Sequence, residues 1–212
     1  MLDTFRSGAI LALHDACLAR PEWPADDTAA RAGLPACDAA DVWGWVLDNH
    51  RWNCSLWAEE DLARRTRAAD AEIAANKRNI DRFNQARNDA MERIDDTLLR
   101  ATAEWPRAAG ARLSSETVGA MVDRLSILAL KVHHMGLQTT RTDVEDAHRE
   151  TARSRVAQLR LQRDDLAGCL DRLLDELAAG TGWFRIYRQF KMYNDPSLNP
   201  VLVAERKAGR AG

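Results

Sequence analysis

Apolar residues recur at three- and four-residue steps through most of the chain, the spacing of one face of an α-helix. Leu2, Phe5, Ala9, Leu13 and Ala16 mark a modest amphipathic helix over 2–20. Pro21, Pro24, Gly33 and Pro35 break the pattern over 21–37, which reads as a long loop that Trp23 pins to the core. A central helix follows from Asp38 to Ala69. Asp70 is the expected N-cap of the next helix, with Glu72 in its first turn, and the two helices form a hairpin turning there. The second of them carries Ile73, Ile80, Phe83, Met91, Ile94 and Leu98 on one side and ends at Pro106 and Gly110. A third starts at Ser114 or Ser115 and is apolar nearly all round from Met121 to Met135, which predicts a central position. A fourth spans 142–179, with Val156, Leu159, Leu166, Leu170, Leu173 and Leu177 near heptad spacing. The expected fold is all-α, a single-domain helical bundle of long antiparallel helices, about five or six in number. Residues 1–40 form its N-terminal helix and loop, 41–202 the bundle, and 203–212 a disordered tail.

The central helix has polar groups where its packing face should be. On a wheel of about 100° per residue, Val42, Trp43, Trp45, Val46, Trp52, Leu56 and Trp57 share one broad arc. Asn53 and Glu60 fall within about 20° of Val42, at the centre of that arc, and His50 and Arg64 lie inside it. A buried carboxylate costs several kcal/mol unless it is paired. Two readings follow. Glu60 and Arg64 form a structural pair with Asn53 satisfied in the core, or Trp57, Asn53 and Glu60 line a pocket with apolar walls and few polar groups. In the second reading Glu60 sits at the pocket floor.

On the second long helix, Asp81, Gln85, Asn88 and Glu92 make a polar stripe, a solvated face or a metal site. A turn near Asp70 sets Glu60 level with Asp81 and Asn53 level with Asn88. Glu60 and Asn53 stand about 10 Å apart along the axis, too far to share an ion. Asn88, Asp89 and Glu92 could share one, and their oxygen ligands suit Mg²⁺ or Mn²⁺. The third helix adds Asp123 and His134 on one line, about 16 Å apart, as a candidate acid–base arrangement through a third group. Lys131 sits at the edge of the same face.

Net charge is −2, which gives no global case for nucleic acid or a membrane as partner. No apolar run approaches the roughly 20 residues of a membrane span. Cys17, Cys37, Cys54 and Cys169 include no C-x-x-C pair and no zinc spacing, so the chain reads as a cytoplasmic protein with reduced thiols. Arg185, Arg188 and Lys191 recur at three-residue spacing among Tyr187, Phe190 and Tyr193. On a short helix they would either grip a phosphate or dock their aromatics on the bundle.

Four blocks carry a resemblance: NCSLWAEEDLAR (53–64), KRNIDRFNQARNDAMERID (77–95), DRLSILALKVHHM (123–135) and YRQFKMYNDPSLNPVL (187–202). Over residues 50–202 the chain resembles the bacterial domain-of-unknown-function family 4254. Asn53, Leu56, Trp57, Glu60, Asp61, Ala63 and Arg64 occupy the family pattern N-x-x-L-W-x-x-E-D-x-A-R. The resemblance implies a helical bacterial protein and brings no established chemistry.

Two function classes fit these residues. The first is an enzyme acting on a phosphorylated small molecule, a nucleotide or nucleotide sugar. Its catalytic candidates are Glu60, Asp61, Asp123 and His134. Its substrate-binding candidates are Asn53, Trp57, Arg64, Lys77, Lys131, Arg188, Lys191 and Tyr193, with Asn88, Asp89 and Glu92 as metal ligands. Glu92-x-x-Asp95 matches half of the carboxylate pattern of all-α nucleoside triphosphate pyrophosphohydrolases. The other half fails at Leu62, where Glu59 would need an acid. The second class is a non-catalytic accessory or scaffold protein, homodimeric through the fourth helix.

Overall fold

The computed structural model describes residues 4–35, 42–188 and 196–208. Seven helices and two short strands lie among them: α1 (Ser7–Leu18), α2 (Thr28–Ala32), α3 (Val42–Ala63), α4 (Asp70–Ala101), β1 (Arg112–Leu113), α5 (Val118–Gln138), α6 (Asp146–Ala178), β2 (Gly182–Trp183) and α7 (Pro200–Ala208). The fold is all-α, as the periodicity predicts. The α3–α4 hairpin packs against α5, and α5 packs against α6. Phe5, Ile10, Val42, Val46, Ile94, Leu98, Leu125, Leu170 and Leu174 meet in the middle. Each such side chain contributes about 1.5–3 kcal/mol by leaving water.

Several boundaries differ from the expected ones. Helix α3 ends at Ala63, six residues before Ala69. Ala69, in extended conformation, precedes α4, and the Glu72 carboxylate accepts its N–H at 3.0 Å. The hairpin register shifts accordingly. Glu59 accepts from Asn76 and Asn79, Trp52 stacks on Phe83, and the Asn49 amide reaches the carbonyl of Arg87. Asn53 therefore stands near Asn84 rather than Asn88. Helix α5 is capped by Thr117, whose Oγ accepts from the Ala120 N–H. In α1 the buried line is Ile10, His14 and Cys17, and Ala16 is exposed. The long loop contains α2, and Trp23 pins it as expected. Residues 203–208, expected in a disordered tail, belong to α7.

Residues 182–188 are extended, within a segment where a short helix was expected. Strand β2 pairs parallel with β1, Arg112 opposite Gly182 and Leu113 opposite Trp183. Phe184 then turns inward and Tyr187 is 72% exposed, so alternation replaces helical spacing. The heptad-like stripe of α6 is mostly absorbed within the chain. Val156, Leu166, Leu170, Leu173 and Leu177 are buried, chiefly where α6 meets α5, and Leu159 is half-buried.

Two local features fix the bundle. Gly119 lets α5 cross α4 at close range: a Cβ there would lie 2.3 Å from the Met91 carbonyl oxygen. Its N–H donates to the buried Asp95 carboxylate at 2.6 Å. Burial pushes the Asp95 carboxyl up to about 6, against the bonds from Thr117 and Gly119. On the other side, His14 and His50 stack with ring centroids 4.3 Å apart, and Trp23 stacks on the outer face of His50. Trp23 Nε1–H donates to Cys54 Sγ at 3.1 Å. Both His14 ring nitrogens are buried without a hydrogen-bond partner. Burial, then His50 and Arg163, hold His14 well below its ordinary pKa, and burial brings His50 down to about 3.

Among the described residues no helix is long and apolar enough to cross a membrane, and Cys17, Cys54 and Cys169 are free thiols. Two predictions follow from the packing. Gly119→Ala should cost about 1–3 kcal/mol in urea unfolding, because the opposing atom is backbone and cannot swing away. Stability should also fall with acid. Above pH 6.5 His14 and His50 are neutral in both states. Below it the unfolded chain takes up two protons that the fold refuses. Asp95 acts in the opposite sense below about pH 6, since its folded carboxyl binds a proton first. For these three groups the balance is a net loss of about 1.4 kcal/mol per pH unit between roughly pH 6 and 4. Unfolding curves at pH 7, 6 and 5 measure it, and His14→Phe, which keeps the stack, should flatten the slope.

Candidate functional site

Asn49 and Asn53 are one turn apart on α3 and point at α5. Both amides donate to a single atom, Asp123 Oδ1, at 2.9 and 3.0 Å. The Asn53 amide also reaches Ser126 Oγ at 3.1 Å, and Ser126 Oγ bonds His50 Nδ1 at 2.8 Å. Arg87 of α4 brings its Nε to 3.7 Å from the same Asp123 oxygen, close enough for attraction but beyond a hydrogen bond. That Nε is buried and has no hydrogen-bond partner. The outer end of the guanidinium donates to Asn88 Oδ1 at 3.2 Å. Three helices thus meet on one carboxylate.

Above this seam lies a cavity of about 340 Å³ between α3, α4 and α5. Leu56, Ile80, Ile127 and Leu130 give it apolar walls. Its polar lining is Asn53, Asn84, Glu60, Asp61, Arg64 and Arg87, with Trp57 as an aromatic wall. The volume lies in the range of small-molecule sites, and the mixture of apolar walls and a few polar groups is their usual composition. Arg64 pairs with Glu60 at 3.1 Å.

Glu60 corrects the sequence reading: its side chain is 45% exposed and sits at the rim, not at the floor. The wheel placed it at the centre of the apolar arc, but the last turns of α3 run past the helices that cover that arc. Asp123 is buried and lies under the cavity instead of lining it.

Trp57 has a second face. His134 lies flat on it, with ring centroids 4.6 Å apart and parallel planes. Burial first, then His133, holds His134 below its ordinary pKa, while Asp61 pulls it upward. His134 and Lys131 line a separate cavity between α3, α5 and α6. Asp123 and His134 therefore serve different places and share no intermediate group.

The remaining candidates do not join the site. Lys77 is exposed and paired with Asp81. Asn88 is buried beneath Arg87, exposed Asp89 accepts from Gln85, and Glu92 pairs with Arg188, which also holds Asp96. Asp95 is buried against Gly119, so Glu92 and Asp95 do not act together. Among the described residues no group of three or more His, Cys, Asp or Glu side chains is placed to hold a metal ion. Lys191 and Tyr193 lie outside the described residues.

Sequence reasoning missed Asn49, Asn84, Arg87 and Ser126. Asn49 was visible as the residue four before Asn53, and Ser126 as three after Asp123. Asn84 and Arg87 come into view only with the true hairpin register.

Residues 43–186, more than half of the chain, match the family model described as a protein of unknown function, DUF4254. No curated protein and no solved structure matches the chain. The matched span holds every residue of the seam and of both cavities. The chain belongs to the DUF4254 family.

Proposed function

We propose that this protein acts on a phosphorylated small molecule, a nucleotide or nucleotide sugar, held in the cavity between α3, α4 and α5. The observation that carries the reading is Arg87. Arg87 lines a cavity of about 340 Å³, its buried Nε makes no hydrogen bond, and its charge is only partly met by Asp123. A guanidinium whose charge is only partly met draws a ligand oxyanion into the space it lines. Arg64 supplies a second guanidinium from the rim. Trp57 offers a flat wall for a base or sugar ring, and the amides of Asn53 and Asn84 can bond its polar atoms.

In this reading Glu60 and Asp61 handle protons at the mouth, where a bound phosphate ester would present its oxygens. Asn53 is the positioning residue, because it lines the cavity and is held by Asp123 and Ser126. Asn88, Asp89 and Glu92 each face a different partner, so in this reading the arginines carry the phosphate charge. The alternative of a non-catalytic accessory or scaffold protein rests on the α6 stripe and on the lack of a recognisable catalytic triad; within that stripe Val156, Leu166, Leu170, Leu173 and Leu177 are buried in this one chain and Leu159 is half-buried.

Calorimetric titration with nucleoside mono-, di- and triphosphates and nucleotide sugars tests the proposal. At least one should bind, and Arg64→Gln, at an exposed side chain, should weaken it about tenfold while the parent nucleoside is unaffected. Glu60→Gln should lower turnover with little change in affinity. Absence of binding across the panel, or equal binding by the Arg64 variant, would overturn it.

A further inference from the structure

The second cavity, of about 470 Å³, lies on the far side of Trp57. Trp57, His134, Met135 and Leu159 form its walls, and Lys131 and Arg155 stand at its exposed edge. Lys131 comes from α5 and Arg155 from α6. Surface cations on helices ordinarily meet an acid three or four residues away. Around Lys131 those positions are Ile127, Leu128, His134 and Met135. Around Arg155 they are Thr151, Ala152, Gln158 and Leu159. None is acidic. Elsewhere on α6, Arg149, Arg153 and Arg163 each hold an acid.

Among the described residues neither Lys131 nor Arg155 is ion-paired, and both have been brought to the edge of one apolar cleft. Like charges so placed repel, and an anion between them removes the repulsion. Asp61 is near enough for its field to reach His134, but it lines the neighbouring cavity and sits 3.7 Å from Arg64. The His134 ring, held below its usual protonation range, remains an uncharged aromatic wall at neutral pH. The cleft therefore has an oily interior and a cationic edge.

We propose that this cavity is a second binding site, separate from the phosphate cavity, for a small amphiphilic organic anion. Its apolar or aromatic body lies against Trp57, Met135 and Leu159. Its single anionic head, a carboxylate or its equivalent, lies between Lys131 and Arg155.

The test is titration calorimetry on the full chain with 1-naphthoate and with decanoate, which separate an aromatic from an acyl body. Neutral 1-naphthol serves as the control. One equivalent of at least one anion should bind, and 1-naphthol should bind at least tenfold more weakly than 1-naphthoate. The double variant Lys131→Gln, Arg155→Gln should lose about tenfold in affinity at unchanged melting temperature, since both side chains are exposed. Arg64→Gln should leave the affinity as it is, which separates this site from the phosphate cavity. No saturable binding by either anion, naphthol binding as tightly as naphthoate, or a double variant that binds like the parent would overturn the proposal. An equal loss in Arg64→Gln would also overturn it, because the two cavities would then be one site.

Discussion

Asp123 Oδ1 accepts two amide N–H groups from α3 and lies beside a guanidinium from α4, inside a bundle whose surroundings are Leu, Ile and Val. A carboxylate in such a place is tolerated only when donors and a cation surround it. That requirement fixes the geometry of three helices. It sets the rotation of α3, because Asn49 and Asn53 must both face α5. It sets the hairpin register, because Arg87 must stand level with them. It also orders Ser126 and, through it, His50.

The cavity follows from this seam. Asn53 belongs to both: its amide is held from below and its side chain lines the space above. Arg87 is stretched between Asp123 and Asn88 and leaves Nε unbonded. A polar floor of fixed orientation is thereby placed under an aromatic wall and an exposed Glu60–Arg64 pair at the rim. Binding sites gain from such prearrangement, since less side-chain freedom is lost when a ligand arrives. Trp57 divides this polar space from the oily, cation-edged cleft on its other face. One residue of the family block thus serves two chemically different surfaces.

Helical periodicity made the four long helices and their all-α class legible, because apolar residues at three- and four-residue spacing have few other uses. The helix wheel grouped Asn53, Trp57, Glu60 and Arg64, and all four line the cavity between α3, α4 and α5, whereas Asp61 entered only with the family pattern. Depth was not legible. A wheel gives direction around an axis but not how far along it the covering helices extend, so Glu60 was placed at the floor. Register failed for a related reason. The six residues between α3 and α4 have no strong breaker, and putting the turn at Asp70 moved every cross-helix pairing by more than a turn. Arg87 was missed for that reason, while Asn88, Asp89 and Glu92 were read as metal ligands from the polar stripe of their helix. Residues 182–188 misled through composition: basic and aromatic residues there suit a short helix, but Gly182 and Trp183 pair with β1 and the chain to Arg188 is extended.

The most direct measurement is the urea unfolding free energy of Asp123→Ala beside the parent protein. Removal of the carboxylate leaves the Asn49 and Asn53 amides and the Arg87 charge buried without their partner. A loss of about 3–5 kcal/mol is expected, as for other broken buried pairs. A loss below about 1 kcal/mol, in the range of an ordinary exposed ion pair, would contradict the account, because the helices would then hold their arrangement without the seam.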